Sequence, residues 1–358
     1  MKYGRTLNEL AMELTRRENE KKDYKLDTRN MHFDADKETE QLSLINEKKG
    51  VTIALGVNSI AHQQIGTALG IPPKYYQKMR EENPSLLATN INSWFQNSPK
   101  VRFVRTLDNT TRAFLGETYF PMDNYQVAER VLPIIASMPD ARIESCEVTD
   151  TRMYIKVVNP RLTTEVVPGD IVQSGIIITN SEVGMGALTI MPLIYRLVCK
   201  NGMTVNDAKN RQRHIGRGIS ADEDFSVYSD ETLRLENMAR MAKAEDTVKA
   251  VVDEVRFEKI VNVMRQAKGA KIETTNIPAM VELTGTEFGF TKQQGTGILD
   301  HLIRGGDLTL YGMANAVTRY AQDVDSYDES TRLEGLGWSL IDMPKSKWDR
   351  LNAVATVR

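Results

Sequence analysis

Apolar residues recur every three to four positions at the start of this chain, every two positions in its middle, and every three to four again towards its end. Leu7, Leu10, Ala11 and Leu14 follow Thr6 and Glu9, which have the spacing of a capping box, so a helix is expected from residue 7. Residues 15–50 are mostly charged or polar and are expected as an exposed arm with little core. Residues 58–82 read as two helices joined at Gly70-Ile71-Pro72-Pro73. Residues 63–82 have the outline of a helix-turn-helix. The second helix offers few base-reading side chains beyond Lys74, Gln77, Lys78 and Arg80, so a helical hairpin packed on the core is the expectation.

From Val101 the period becomes two. Residues 101–107 and 111–118 flank Asp108-Asn109-Thr110, 142–149 and 152–158 flank Thr149-Asp150, and 170–179 and 187–199 flank a glycine-containing loop. Three hairpins result, with a helix expected over 124–138. The strand ending Tyr195-Arg196-Leu197-Val198-Cys199-Lys200 is expected to turn at Asn201-Gly202. Helical spacing returns from Asp230, where one long helix is expected to about Lys268. Further helices are expected from Thr291/Gln294, over 308–324, and from Ser326/Glu329. The fold class is α+β: a central, mostly antiparallel sheet of hairpins with packed helices, followed by a helical C-terminal region. The expected divisions are a polar arm over 1–50, an α+β core over 51–220 and a helical region over 221–358.

Composition narrows the function. The chain has 358 residues, 41% hydrophobic and 26% charged, with a formal net charge of -2. Such a balance argues against a purely electrostatic binder, so any polyanion site must be local. No apolar run approaches the ~20 residues of a membrane-spanning helix, and the N-terminal residues lack the apolar stretch of a signal peptide. A cytoplasmic protein without a membrane partner is expected. Cys146 and Cys199 sit in strand-like runs and read as small buried thiols in a reducing compartment.

Catalytic motifs are sparse. The four histidines are scattered, there is no Cys-x-x-Cys, and neither Gly184-Met185-Gly186 nor Gly295-Thr296-Gly297 leads into the Lys-Ser/Thr of a phosphate loop. Glu144 and Glu147 lack a lysine two residues on, so a metal nuclease is not favoured. No metal or cofactor is expected, and an enzyme is the less favoured class.

The local charge lies between Ile190 and Gly218. Arg196, Lys200, Lys209, Arg211, Arg213, His214 and Arg217 are opposed there only by Asp207. Such a cluster on a near-neutral protein suggests a polyanion site, with the cations on phosphates. Arg102, Arg105 and Arg112 of the first hairpin extend the track if they share its face; otherwise they pair with carboxylates across the sheet. Tyr119, Phe120, Tyr125 and Tyr195 are aromatic candidates for base stacking, although core packing is the commoner role.

Four groups of segments resemble the phage/plasmid-like protein family, domain of unknown function 932. They are Leu69–Tyr76 with Asn90–Trp94; Val104–Thr106 with Arg112–Leu115 and Tyr119 through Asn124; Arg196–Gly202; and Asn315–Arg319 with Trp348. The chain departs from the family at Gly116-Glu117-Thr118, where serine is usual before the strand end. The resemblance implies mobile-element biology and supplies no catalytic residues. Taken with the basic segment, it leads to the expectation of a nucleic-acid-binding protein. Single-stranded DNA is the favoured ligand, in recombination, annealing or replication, and a homo-oligomer is a further expected assembly. The alternative is an interaction protein, such as an inhibitor of a host defence factor, whose arginines are held in salt bridges.

Overall fold

The computed structural model describes residues 1–46, 49–205, 211–212, 235, 238–239, 241–243, 245–248 and 253–357. Helix α1 (Leu7–Glu20) starts at Thr6, and the Thr6 and Glu9 side chains satisfy each other's backbone N–H groups, as their spacing predicts. Strands β1 (Lys22–Asp27), β2 (Met31–Ala35), β3 (Glu40–Asn46) and β4 (Val51–Val57) follow. The segment expected as an exposed arm therefore supplies three strands. Met31, Phe33, Leu42 and Leu44 alternate along β2 and β3 and are almost completely buried. Charged neighbours on the solvent face dilute that alternation in the sequence.

Helices α2 (Ser59–Ala68), α3 (Pro73–Glu82) and α4 (Pro84–Asn97) precede β5 (Val101–Leu107) and β6 (Thr110–Gly116). The strands form a sheet in the order β1-β5-β6-β4-β3-β2, antiparallel except between β4 and β6. Asp108 and Asn109 both have positive φ, 50° and 56°, which is the twist a two-residue hairpin turn requires. Ile60, Ala61 and Ile65 of α2 and Tyr76 and Met79 of α3 are buried, so this helix pair packs on the core. Asn92 of α4 closes the outer edge of β2: its amide accepts from Phe33 N and donates to Phe33 O, both at 2.8 Å.

A second, antiparallel sheet contains β7 (Arg142–Val148), β8 (Met153–Glu165), β9 (Ile171–Asn180), β10 (Leu188–Arg196) and β11 (Asn201–Thr204), ordered β11-β10-β9-β8-β7. The two-residue strand β12 (Arg211–Gln212) also pairs with β10. One face takes Leu10 and Leu14 of α1 with Val127, Val131 and Ile135 of α5 (Asn124–Ser137). The other meets helix α10 (Tyr327–Ile341), whose Tyr327 packs with Tyr154 and Ile177. Near β11, Val172, Ile194 and Met203 join a core with the C-terminal helices α6 (Glu254–Gly269), α7 (Ile277–Phe288), α8 (Lys292–Gly305), α9 (Leu310–Tyr320), α10 and α11 (Lys345–Val357). Burial on both faces explains the unbroken apolar run at Ile176, Ile177 and Ile178. Each such side chain contributes about 1.5–3 kcal/mol.

The fold is thus α+β with antiparallel sheets and a helical C-terminal region. The long helix expected from Asp230 is broken at Asp253, whose side chain caps α6 by accepting from Arg256 N at 2.7 Å; much of residues 230–252 lies outside the described residues. Helix α10 is fastened to the sheet by a fully buried ion pair, Lys156 of β8 to Glu334 at 2.7 Å, with the ammonium 4.6 Å from the centre of the Tyr327 ring.

Strand β10 ends at Arg196, four residues earlier than its sequence suggests, and the turn is Leu197–Lys200. Lys200 takes the left-handed conformation, φ 50°. Asn201 and Gly202 belong to β11 instead of a turn. Asn201 Nδ2 donates to Thr318 Oγ1 at 2.5 Å in the core. A Cβ on Gly202 would lie 3.2–3.4 Å from Met1 Sδ, Leu193 Cδ1 and Glu334 Oε1. Packing accounts for this Asn-Gly pair.

Candidate functional site

The arginines of the first hairpin are in the interior. Arg105 is completely buried. Its guanidinium donates to Asp23 at 2.9 Å, to Asp123 at 2.7 Å and to the Glu182 carbonyl at 3.0 Å. Burial disfavours its charge, but the two carboxylates outweigh that and raise its basicity. Asp123 also pairs with Lys21. Arg112 Nη1 donates to Glu182 Oε2 at 2.5 Å, and Glu182 Oε1 accepts from Asn124 N at 2.6 Å. These bonds join β1, β5 and β6 of the first sheet to the start of α5 and to the β9–β10 loop. Arg102 is half-buried; its guanidinium lies 5.6 Å from the Phe114 ring centre, and burial lowers its pKa. The expected track through Arg102, Arg105 and Arg112 is corrected accordingly: Arg105 and Arg112 are cross-links that a phosphate cannot reach.

The basic segment starts differently. The Leu197–Lys200 turn protrudes at one end of the second sheet, with Val198 60% exposed at its tip and Lys200 exposed behind it. A hollow opens on each side. One, lined by Tyr3, Arg142, Glu144, Tyr195, Leu197 and Lys200, has a volume of about 320 Å³. Tyr3 is 69% exposed there. Glu144 accepts from the Tyr195 hydroxyl at 2.9 Å and pairs with Arg142 at 3.0 Å.

The other hollow, of about 220 Å³, lies between the turn and helices α8 and α9. Arg196 and Cys199 form one wall; His301, Arg304, Asn315 and Arg319 contribute to the others. Arg196 is fixed by Asp170 through Nε at 2.5 Å and Nη2 at 3.0 Å, while the Tyr311 hydroxyl donates to the same carboxylate at 2.9 Å. Burial opposes the Arg196 charge, but Asp170 outweighs it and raises its basicity. Its Nη1 donates to Cys199 Sγ at 3.2 Å. Asp323 binds His301 Nε2 at 2.5 Å and Arg319 Nη1 at 3.1 Å.

Of the residues singled out from sequence, Arg196 and Lys200 flank this turn. Arg211 continues the same sheet edge, its backbone paired with Thr189 of β10. Lys209, Arg213, His214 and Arg217 lie outside the described residues. Among the aromatic candidates, Tyr195 is buried, Tyr119 and Phe120 are half-buried and Tyr125 is exposed on α5. Sequence reading missed Tyr3, Arg142, His301, Arg304 and Arg319. Part of this set carries a signal in the sequence: Arg196–Gly202 and Asn315–Arg319 are both among the segments that resemble the family. The structure brings them together through Asn201 and Thr318, and through Gln322, which donates to the Cys199 carbonyl at 3.2 Å.

Among the described residues no group of three or more His, Cys, Asp or Glu side chains is arranged to hold a metal ion, and no helix is long and apolar enough to cross a membrane. Residues 113–344 match the family model described as Domain of unknown function (DUF932). That span includes the second sheet, the turn and both walls of the smaller hollow. No curated protein and no solved structure matches the chain.

Proposed function

The chain belongs to the DUF932 family, and within it we propose a nucleic-acid-binding protein that engages single-stranded DNA along the β10–β11 edge of the second sheet. The observation that carries this reading is the Leu197–Lys200 turn, which sets an exposed Lys200 beside Arg142 and the exposed ring of Tyr3. Cations beside an accessible aromatic ring suit a strand whose phosphates need neutralising and whose bases need stacking. From this turn the chain continues into the basic sequence Lys209, Arg211, Arg213, His214 and Arg217. In this reading Lys200, Arg142 and that segment contact phosphates, and Arg196 is held in place by Asp170. The biological setting we propose is recombination, annealing or replication of phage or plasmid DNA.

Fluorescence anisotropy with labelled single-stranded DNA at increasing salt tests this. Four to six phosphate contacts give a log–log slope of roughly -3 to -4. A flat salt response, or no binding at low salt, excludes the reading.

One observation favours a second reading for part of the molecule. Arg105 and Arg112 sit in the buried ion pairs expected of an interaction protein, such as an inhibitor of a host defence factor. Loss of DNA binding in the test above leaves that reading as the successor.

A further inference from the structure

The smaller hollow has features that a groove for a passing strand does not require. Leu302 and Ala316 are buried in its lining. Three arginines line it, and each is paired with a carboxylate: Arg196 with Asp170, Arg304 with Asp300 and Arg319 with Asp323. Its volume of about 220 Å³ is below that of pockets holding drug-sized ligands, which run from roughly 300 Å³ upward. A single compact anionic group fits these limits better than a run of nucleotides. Asp307, an acidic residue in the lining itself, is engaged by Lys268 at 2.8 Å.

A phosphodiester inside a strand carries one charge. A terminal phosphomonoester carries about -1.5 to -2 at neutral pH and offers three acceptor oxygens. Planar guanidinium groups fixed by carboxylates are suited to bind such oxygens in pairs. We infer that the hollow is an end site, which takes a terminal phosphate group beside the turn. This inference rests on the strand-binding reading for the source of the phosphate; the chemistry it names is the phosphomonoester itself.

Cys199 supplies an internal reporter. Its thiol is half-buried in the wall of the hollow, whereas Cys146 is completely buried, so a thiol reagent should label Cys199 first. The experiment compares one internally labelled DNA strand carrying a 5′-phosphate, a 3′-phosphate or only hydroxyl ends. One phosphorylated end is expected to bind about tenfold more tightly than the hydroxyl-ended strand. It should also slow maleimide labelling of Cys199. Arg319→Gln should remove that preference without changing the thermal melting of the protein.

Equal affinity for all three strands, with no change in Cys199 labelling, overturns the end site while leaving strand binding intact. If no strand binds, the strand-binding reading fails, and inorganic phosphate and a 5′-mononucleotide are then tested against Cys199 labelling. Protection by either shows that the hollow takes a free phosphate or phosphate ester. Absence of protection overturns the site.

Discussion

Two sets of basic residues that look alike in sequence have opposite surroundings. Arg105 and Arg112 on the first hairpin are buried between carboxylates, and they tie the first sheet to α5 and the β9–β10 loop. Arg142 and Lys200 stand at the rim of a hollow beside the Leu197–Lys200 turn. The difference lies in what faces them. Asp23, Asp123 and Glu182 converge on the first set from three separate segments, whereas Arg142 has only its strand neighbour Glu144 and Lys200 has no carboxylate within ion-pair distance among the described residues. An arginine's role is thus decided by acidic partners distant in sequence, which a local count of charge does not see.

The largest effect should come from breaking the interior set. Arg105→Ala removes the guanidinium from Asp23, leaves Asp123 to Lys21 alone, and should cost about 3–5 kcal/mol of stability, read by urea unfolding. A loss below about 1 kcal/mol would contradict its role as a cross-link.

Next in size is an acid sensitivity of the first sheet. His62 is buried against the Tyr76 hydroxyl and Glu40, and desolvation outweighs Glu40 to lower its pKa from 6.5 to about 4. The unfolded chain therefore takes up a proton that the folded chain refuses. Stability is fully present above pH 6.5 and falls as pH drops from 6.5 towards 4. The loss approaches about 3 kcal/mol at the lower end. His62→Gln should flatten this part of the stability–pH curve; an unchanged curve would assign the acid sensitivity elsewhere.

At the rim, effects should appear in binding and not in folding. Tyr3→Ala should weaken single-stranded DNA binding by about 1–3 kcal/mol if the ring stacks on a base. Unaltered affinity would remove Tyr3 from the site. The smallest expected change in stability is that of Lys200→Ala combined with Arg142→Ala, within about 0.5 kcal/mol for each substitution. The salt slope of binding should nevertheless flatten by about 1.4 for two lost phosphate contacts. A large stability loss without a change in slope would move both residues into the structural set.

Much of the fold was legible locally. The hairpin strands over 101–116, 142–158 and 171–196, the helix over 124–137 and the capping boxes at Thr6 and Thr291 follow from period, turn residues and cap spacing. At Ser326 only half of a box forms: its side chain accepts from Glu329 N, while the Glu329 carboxylate turns to Arg332 and Gln294. Strands β1–β3 were hidden because their buried positions are interleaved with charged residues. The site was less legible. Arg196 and Lys200 stand out by charge, but the partners that shape the hollow come from α8 and α9, more than 100 residues later. Only tertiary packing, reported by the Asn201–Thr318 bond, puts them on one surface.

The placement of Asn201-Gly202 inside β11 also affects the chemical ageing of the protein. Asparagine followed by glycine is the sequence most prone to deamidation, because the next backbone nitrogen can attack the side-chain amide with no Cβ in the way. Here the ladder with Tyr195 and Arg196 keeps the backbone extended, and Thr318 holds the amide nitrogen. The dipeptide that would be the chain's weakest point in a loose loop is thereby shielded from slow conversion to isoaspartate, and with it the register of the strand that follows the turn.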